Sequence, residues 1–163
     1  MENETFQEDF NAIMILLKNR IGINNAIIRK LDGDELKTIG YYGYKNQEAS
    51  IQIFLGEGVT GRCAVEKKVI IINNLDKYEG QYIAGIENAK SEVCIPLKSS
   101  GHIIGTFNIE STEKNNFSKD KIDIAISLTE ILVISILNPS TRESNKLVKT
   151  LLNLKKNREN TSI

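Results

Sequence analysis

The segment from Ser91 to Ser111, SEVCIPLKSSGHIIGTFNIES, constrains the fold more than any other stretch, because it alternates through two strand-length runs joined by a turn. Side chains on a strand point to opposite faces in turn, so Val93, Ile95, Leu97, Ile103, Phe107 and Ile109 form an apolar set destined for a core. Glu92, Cys94, Thr106, Asn108 and Glu110 fall on the other face. Ser99-Ser100-Gly101 reads as a three-residue turn, with the glycine in the left-handed region. That turn places Lys98 opposite His102, Cys94 opposite Thr106, and Glu92 opposite Asn108. A sheet face carrying two carboxylates and an amide is either wet or the floor of a pocket.

The flanking chain supplies the layers such a hairpin needs. Phe6, Phe10, Ile13, Met14 and Leu17 recur at three- and four-residue steps and predict an amphipathic helix over Thr5–Arg20, ended by Gly22. Ala26–Leu31 and Glu35–Tyr42 read as strands joined through Asp32-Gly33-Asp34, and Ser50–Phe54 as a third short strand. Val59–Glu66 suits a short helix, and the β-branched run Val69–Ile72 suits a strand. The glycines at 56, 58 and 61 mimic a dinucleotide fingerprint but neither follow a parallel strand nor open a long helix, so they read as turn chemistry. Residues 73–90 lack periodicity and are long for a plain connection, which favours a functional loop. Ser118 is an apt N-cap for a helix running to Asn138, ahead of Pro139. Leu128, Ile131, Leu132, Val133, Ile134, Ile136 and Leu137 ring that helix almost completely, so a second surface beyond the sheet has to cover it. The expected class is α+β: a central antiparallel sheet, N- and C-terminal helices on one face, and loops with short helices covering a pocket on the other.

Composition narrows function by exclusion. With 163 residues and a formal net charge of zero, nothing in the overall balance calls for nucleic acid or an anionic membrane. The charge is uneven, however: from Ser140 onward six basic residues stand against Glu143 and Glu159, a local charge of +4. A short basic helix packed on the protein explains this better than nucleic-acid binding does. No apolar run is long enough to span a membrane, and the acidic opening MENETFQEDF is unlike a secretory signal, so the expected location is cytoplasmic with no membrane partner. Two isolated cysteines, Cys63 and Cys94, fit a reducing compartment and give no zinc-site spacing; no metal or other cofactor is expected.

The order of these elements resembles the GAF domain family. The stretch GEGVTGRCAVEKKVIIINNL from Gly56 to Leu75 is similar to the family's glycine-flanked helix and following strand, while SEVCIPL, GHIIGTFNIES and NNFSKDKIDIAISL resemble its closing hairpin and last helix. The resemblance covers about Phe6–Leu137 and implies a GAF domain over 1–138 followed by a basic helical tail over 139–163. GAF domains hold small molecules between the sheet and its covering loops, which is where the alternation places the polar face. One enzymatic branch, the free methionine-(R)-sulfoxide reductases, has a motif similar to Gly80–Glu92, GQYIAGIENAKSE. Its attacking cysteine corresponds to Gly85 here and its resolving cysteine to Thr60. Its two pocket aspartates correspond to Asn108 and Glu110, and its glutamate to Glu92.

Taken together, these readings give a ligand site of Tyr82, Ile83, Gly85, Glu92, Cys94, Thr106, Asn108 and Glu110, with no catalytic residue. Among Tyr41, Tyr42, Tyr44, Tyr78 and Tyr82, the last is the foremost lining candidate because it lies on the covering loop. Glu92 and Glu110 suit a ligand ammonium, guanidinium or amide, and Asn108 offers both a donor and an acceptor. The expected protein is a non-enzymatic sensory or regulatory domain that binds a small polar molecule and forms a homodimer through the Thr5–Arg20 and Ser118–Asn138 helices. The alternatives are a methionine sulfoxide reductase with relocated cysteines, which needs Cys63 and Cys94 to exchange a disulfide, and a ligand-free dimer module.

Overall fold

The computed structural model describes residues 2–138; the tail expected over 139–163 lies outside the described residues. Four helices, α1 (Glu2–Ile21), α2 (Asn46–Ala49), α3 (Gly58–Glu66) and α4 (Lys119–Leu137), accompany five strands, β1 (Asn25–Asp32), β2 (Glu35–Tyr42), β3 (Ile70–Ile72), β4 (Ser91–Ser99) and β5 (His102–Ser111). The strands form one sheet in the order β2-β1-β5-β4-β3, and every neighbouring pair is antiparallel. This is the α+β architecture expected from the pattern.

The apolar alternation of β4 and β5 explains which face the long helices take. Val93, Ile95, Leu97, Phe107 and Ile109 are buried with Phe10, Ile13, Met14 and Leu17 of α1 and Ile122, Ala125, Ile131, Leu132 and Ile136 of α4. Each such side chain removed from water contributes about 1.5–3 kcal/mol, so this layer dominates stability. α1 meets α4 directly, and there the Ser135 hydroxyl donates to the buried Asp9 carboxylate at 2.5 Å. α4 begins where the sequence said it would: the Ser118 side chain accepts from the Lys121 amide. Ser118→Ala is expected to lower stability by about 1 kcal/mol, read as a shift in the urea midpoint without a change in slope.

The ring of apolar residues on α4 divides between core and surface. Ile131, Leu132 and Ile136 are buried, whereas Ile124, Ile126, Ile134 and Leu137 are exposed, as is Ile15 of α1.

Four expectations are corrected by the structure. The hairpin turn has two residues, not three: Ser99 pairs with His102, and both Ser100 and Gly101 adopt positive φ, 49° and 78°. A bulge between Leu97 and Lys98 then restores face parity, so Cys94 lies opposite Asn108 and Glu92 opposite Glu110. The bulge also turns Ile103 away from the helix side; it packs near Leu36, Ile53 and Ala64, while Ile104 joins the helix-side core. Finally, Ser50–Phe54 is not a strand. Ser50 caps α2, and only a single bridge, Glu35 with Phe54, joins this segment to β2, supported by the Leu36 amide donating to the Ile53 carbonyl at 2.8 Å.

The glycine cluster is turn chemistry, as read. Gly56 has φ 86°, and a Cβ on Gly61 would lie 2.2 Å from the Phe54 carbonyl oxygen, so the start of α3 tolerates no side chain there.

Candidate functional site

The sheet face opposite the long helices is assembled in cross-strand rows. Glu92 of β4 pairs with Glu110 of β5, and Glu110 with Asn25 of β1; one row along, Cys94 pairs with Asn108, and Asn108 with Ile27; further along, Pro96 pairs with Thr106, and Thr106 with Arg29. Rows on one face are about 7 Å apart, twice the rise per residue. The sequence-derived residues Glu92, Cys94, Thr106, Asn108 and Glu110 therefore do share a surface. It is not wet: all five are at most 4 % exposed.

What covers them is the loop between β3 and β4, together with α2, α3 and the segment after β2. Glu110 is where the cover is fastened. Its Oε2 accepts from the Tyr44 hydroxyl at 2.6 Å and from the Ile86 amide at 2.9 Å, and its Oε1 accepts from the Tyr82 hydroxyl at 2.9 Å. The Gly85 amide donates onward to the Tyr82 hydroxyl at 3.4 Å. Gly85 itself leaves room for the carboxylate, since a Cβ built there would lie 2.0 Å from Glu110 Oε2. The place that a side chain at residue 85 would take is thus occupied by the end of Glu110.

Tyr82 and Gly85 therefore lie against the floor, as the sequence suggested. Ile83 does not reach it. This side chain packs with Leu36, Ile53 and Ala64 and sits against Gly58, anchoring the loop to α3. Of the remaining tyrosines, Tyr44 is buried on Glu110, Tyr41 bonds Asn46, Tyr42 lies beside Lys18, and Tyr78 bonds Arg62. A recess of about 410 Å³ opens on the outer side of the loop over Ile51, Tyr82, Gly85 and Ile86. A larger one, about 560 Å³, lies elsewhere, between α4 and the lysines at 67, 68 and 98. The polar chemistry belongs under the loop and not in that groove.

Arg29 is the buried charged residue of this face that the sequence pattern did not single out. It is 4 % exposed on β1 and lies among Tyr44, Cys94, Glu110 and Glu92, near enough to the two glutamates for a carboxylate charge to act on it. The Arg29-Lys30 dipeptide contained the signal. On an alternating strand that buries both faces, one of two adjacent basic residues has to point inward, and Lys30 is the exposed one.

Electrostatics separates the two glutamates. Burial pushes the Glu92 carboxyl well above its ordinary range, and the charge of Glu110 adds to this, against a hydrogen bond from Asn108 and the field of Arg29. Burial also raises Glu110, but there the bonds from Tyr44, the Ile86 amide and Tyr82 oppose it. Of the two, Glu110 is built to hold the negative charge and Glu92 to hold a proton. Burial lowers the Arg29 guanidinium, with the surrounding acids pulling the other way.

Four buried side-chain atoms on this face have no hydrogen-bond partner among the described residues: Arg29 Nε, Glu92 Oε2, Thr106 Oγ1 and Asn108 Oδ1. Interiors rarely leave such groups unpaired, because each costs about 1–3 kcal/mol, so four on one face is a concentration of unmet hydrogen-bonding capacity.

The two cysteines are neighbours. The Cys63 thiol donates to the Cys94 carbonyl at 3.4 Å and to the Lys68 carbonyl at 3.3 Å; both cysteines are fully buried and unbridged. Burial pushes the Cys94 thiol well above its ordinary value, and the adjacent Cys63 adds to that. A thiolate ready to attack sulfur is not favoured here. Among the described residues no group of three or more His, Cys, Asp or Glu side chains could hold a metal, and no helix is long and apolar enough to cross a membrane.

A layered α+β domain with its polar chemistry sealed between sheet and loop defines the class. The chain belongs to the GAF domain family, whose model matches residues 4–136; such domains are typically sensory or regulatory. It is 37 % identical over 84 residues to GAF domain-containing protein A of Dictyostelium discoideum and 32 % identical over 80 residues to protein YtsP of Bacillus subtilis. Those matches take in 52 % and 49 % of this chain and 51 % and 47 % of the relatives, so about half the length of each is spanned. Solved structures agree on the fold. A type II free methionine-R-sulfoxide reductase from Thermoplasma acidophilum superposes with a TM-score of 0.75 at 20 % identity, over 83 % of this chain and 95 % of that one. The GAF domain of an Acinetobacter phosphoenolpyruvate-protein phosphotransferase gives 0.72 at 15 % identity, over 85 % and 83 %. The free methionine-R-sulfoxide reductase of Neisseria meningitidis, solved with its substrate, gives 0.68 at 23 % identity, over 80 % and 78 %.

Proposed function

We propose that this GAF domain is a non-enzymatic, cytoplasmic sensor that holds a small polar molecule over Glu92, Asn108 and Glu110 beneath the 76–90 loop, and that it works as a homodimer. The observation that carries this reading is the set of unpartnered buried polar atoms facing one another on the sheet. A catalytic role finds less support: the position matching the reductases' attacking cysteine is Gly85, and the two thiols present are buried. The dimer reading is supported by the apolar residues that α1 and α4 leave exposed, Ile15, Ile124, Ile126, Ile134 and Leu137, which lie on the helix side, away from the ligand site. A ligand that binds the closed loop better than the open one would shift the loop population. How far that shift reaches the helices depends on Glu110, the link between loop and sheet.

Thermal unfolding against a panel of amino acids, nucleotides, inorganic anions and free methionine sulfoxide tests the reading. A binder at ten times its dissociation constant is expected to add about 1.4 kcal/mol, a rise of a few degrees, and to increase amide protection in residues 82–90. No response from any compound would remove the ligand. Dithiol-dependent turnover of free methionine sulfoxide would replace a sensor with an enzyme.

A further inference from the structure

The end of the floor furthest from Glu92 has a chemistry of its own, and what it holds rests on the proposal that the floor binds a ligand. Among the described residues Arg29 makes no ion pair and no hydrogen bond with the acids around it, although it is 4 % exposed and its Nε is fully enclosed without an acceptor. Its cross-strand neighbour on the same face is Thr106, whose hydroxyl is also buried and unpartnered. One end of the floor therefore offers donors: a guanidinium with a fixed fork and a hydroxyl that rotates to suit. Nearer Glu110, the free atoms are Asn108 Oδ1, an acceptor, and Glu92 Oε2.

A guanidinium kept to complete a structural ion network would engage its carboxylates, because an enclosed cation without them is expensive. Here Glu110 is already engaged by Tyr44, Tyr82 and the Ile86 amide, while Glu92 keeps a buried oxygen without any partner and still makes no ion pair with the guanidinium. Arg29 is left facing inward without a carboxylate of its own. Planar, forked donors match a carboxylate in a way that an ammonium does not. We infer that Arg29, with Thr106, is the anion anchor of the pocket, and that the ligand is a small carboxylate carrying a hydrogen-bond donor at its other end for Asn108 and Glu92. The row spacing of about 7 Å between Arg29 and Asn108 limits the molecule to a few bonds in length.

The test combines binding with stability in the absence of ligand. Glycine, glutamate and succinate are compared, each against its primary amide, by thermal unfolding and calorimetry on the full chain, its Arg29→Met and its Arg29→Lys variants. The carboxylate of at least one pair is expected to bind at least about tenfold more tightly than the amide, with Arg29→Met abolishing that preference and Arg29→Lys retaining part of it. With no compound added, Arg29→Met is expected to unfold at the same temperature as the parent or higher, since an unpaired buried charge gives way to a side chain of similar length. A fall of roughly 5 °C or more would mean that Arg29 is a structural cation, and would overturn the inference. So would equal binding of acid and amide, or an undiminished preference in Arg29→Met. If amides bind and no carboxylate does, the pocket stands and the anchor falls. If nothing binds, the ligand reading fails and takes this inference with it.

Discussion

Gly85→Ala is expected to destabilise the protein by about 3 kcal/mol, lowering its unfolding midpoint by roughly 10 °C, although it adds a single methyl group. The backbone at Gly85 is not in the left-handed region, so torsional strain is not the cause. The cause is that the new Cβ would lie 2.0 Å from Glu110 Oε2 and 2.6 Å from its Oε1. A surface carboxylate would swing aside. This one is 2 % exposed and bound by two tyrosine hydroxyls and an amide, so moving it breaks bonds to a buried charge, each worth about 1.5–3 kcal/mol, of which relaxation recovers part. Shortening the acid should relieve the clash. Glu110→Asp withdraws the carboxylate by one methylene and, alone, weakens the same three bonds; combined with Gly85→Ala it is expected to cost about 1–2 kcal/mol less than the two changes summed. Urea unfolding of the four proteins checks this, with hydrogen exchange at the Ile86 amide reporting whether the loop has come loose. Strict additivity would mean that residues 85 and 110 do not compete for one volume.

That pairing was half visible in the sequence. The match with the reductase motif put a glycine where a cysteine was expected and Glu110 where an aspartate was, but that the longer acid fills the space of the missing side chain emerges only from the folded arrangement. The strands were legible where alternation was strict. Glu35–Tyr42 has the bounds read from its pattern, and the hairpin faces were assigned correctly for every site residue. Register was not, because it depends on turn type. Ser100 adopts a positive φ that a serine seldom takes, closing a two-residue turn, and the bulge near Leu97 leaves no mark in composition. Ser50–Phe54 failed as a strand because the end of α2 consumes its first residue, leaving too little to pair. Arg29 was missed because the strand Ala26–Leu31 was drawn through it without asking which of two adjacent basic residues faces the covered side of the sheet.

Glu92→Gln is expected to stabilise the ligand-free protein at alkaline pH, by about 2 kcal/mol, while leaving it nearly unchanged in acid. The sign follows from proton linkage. A buried acid whose folded pKa lies above its unfolded value binds more protons in the native state than in the unfolded state, so stability falls as pH rises. For Glu92 that loss begins near the ordinary carboxyl value of 4.5 and continues upward through its raised folded value, because burial and the charge of Glu110 both resist ionisation. Glu110 contributes in the same direction, its three hydrogen bonds opposing the effect of burial. The amide introduced by Glu92→Gln keeps the shape, needs no proton, and still offers an oxygen to Asn108. Stability curves of parent and variant, measured by urea unfolding between pH 5 and pH 9, should therefore converge at the acid end and separate toward the alkaline end, the parent falling more steeply. Curves that stay parallel would show that Glu92 ionises freely, and its enclosure would then have to include water reaching Oε2. A ligand bringing a donor to Glu92 should flatten the parent curve in the same way, because a hydrogen bond to the ionised carboxylate offsets the loss of solvent; the pH slope thus reports directly on occupancy of the floor.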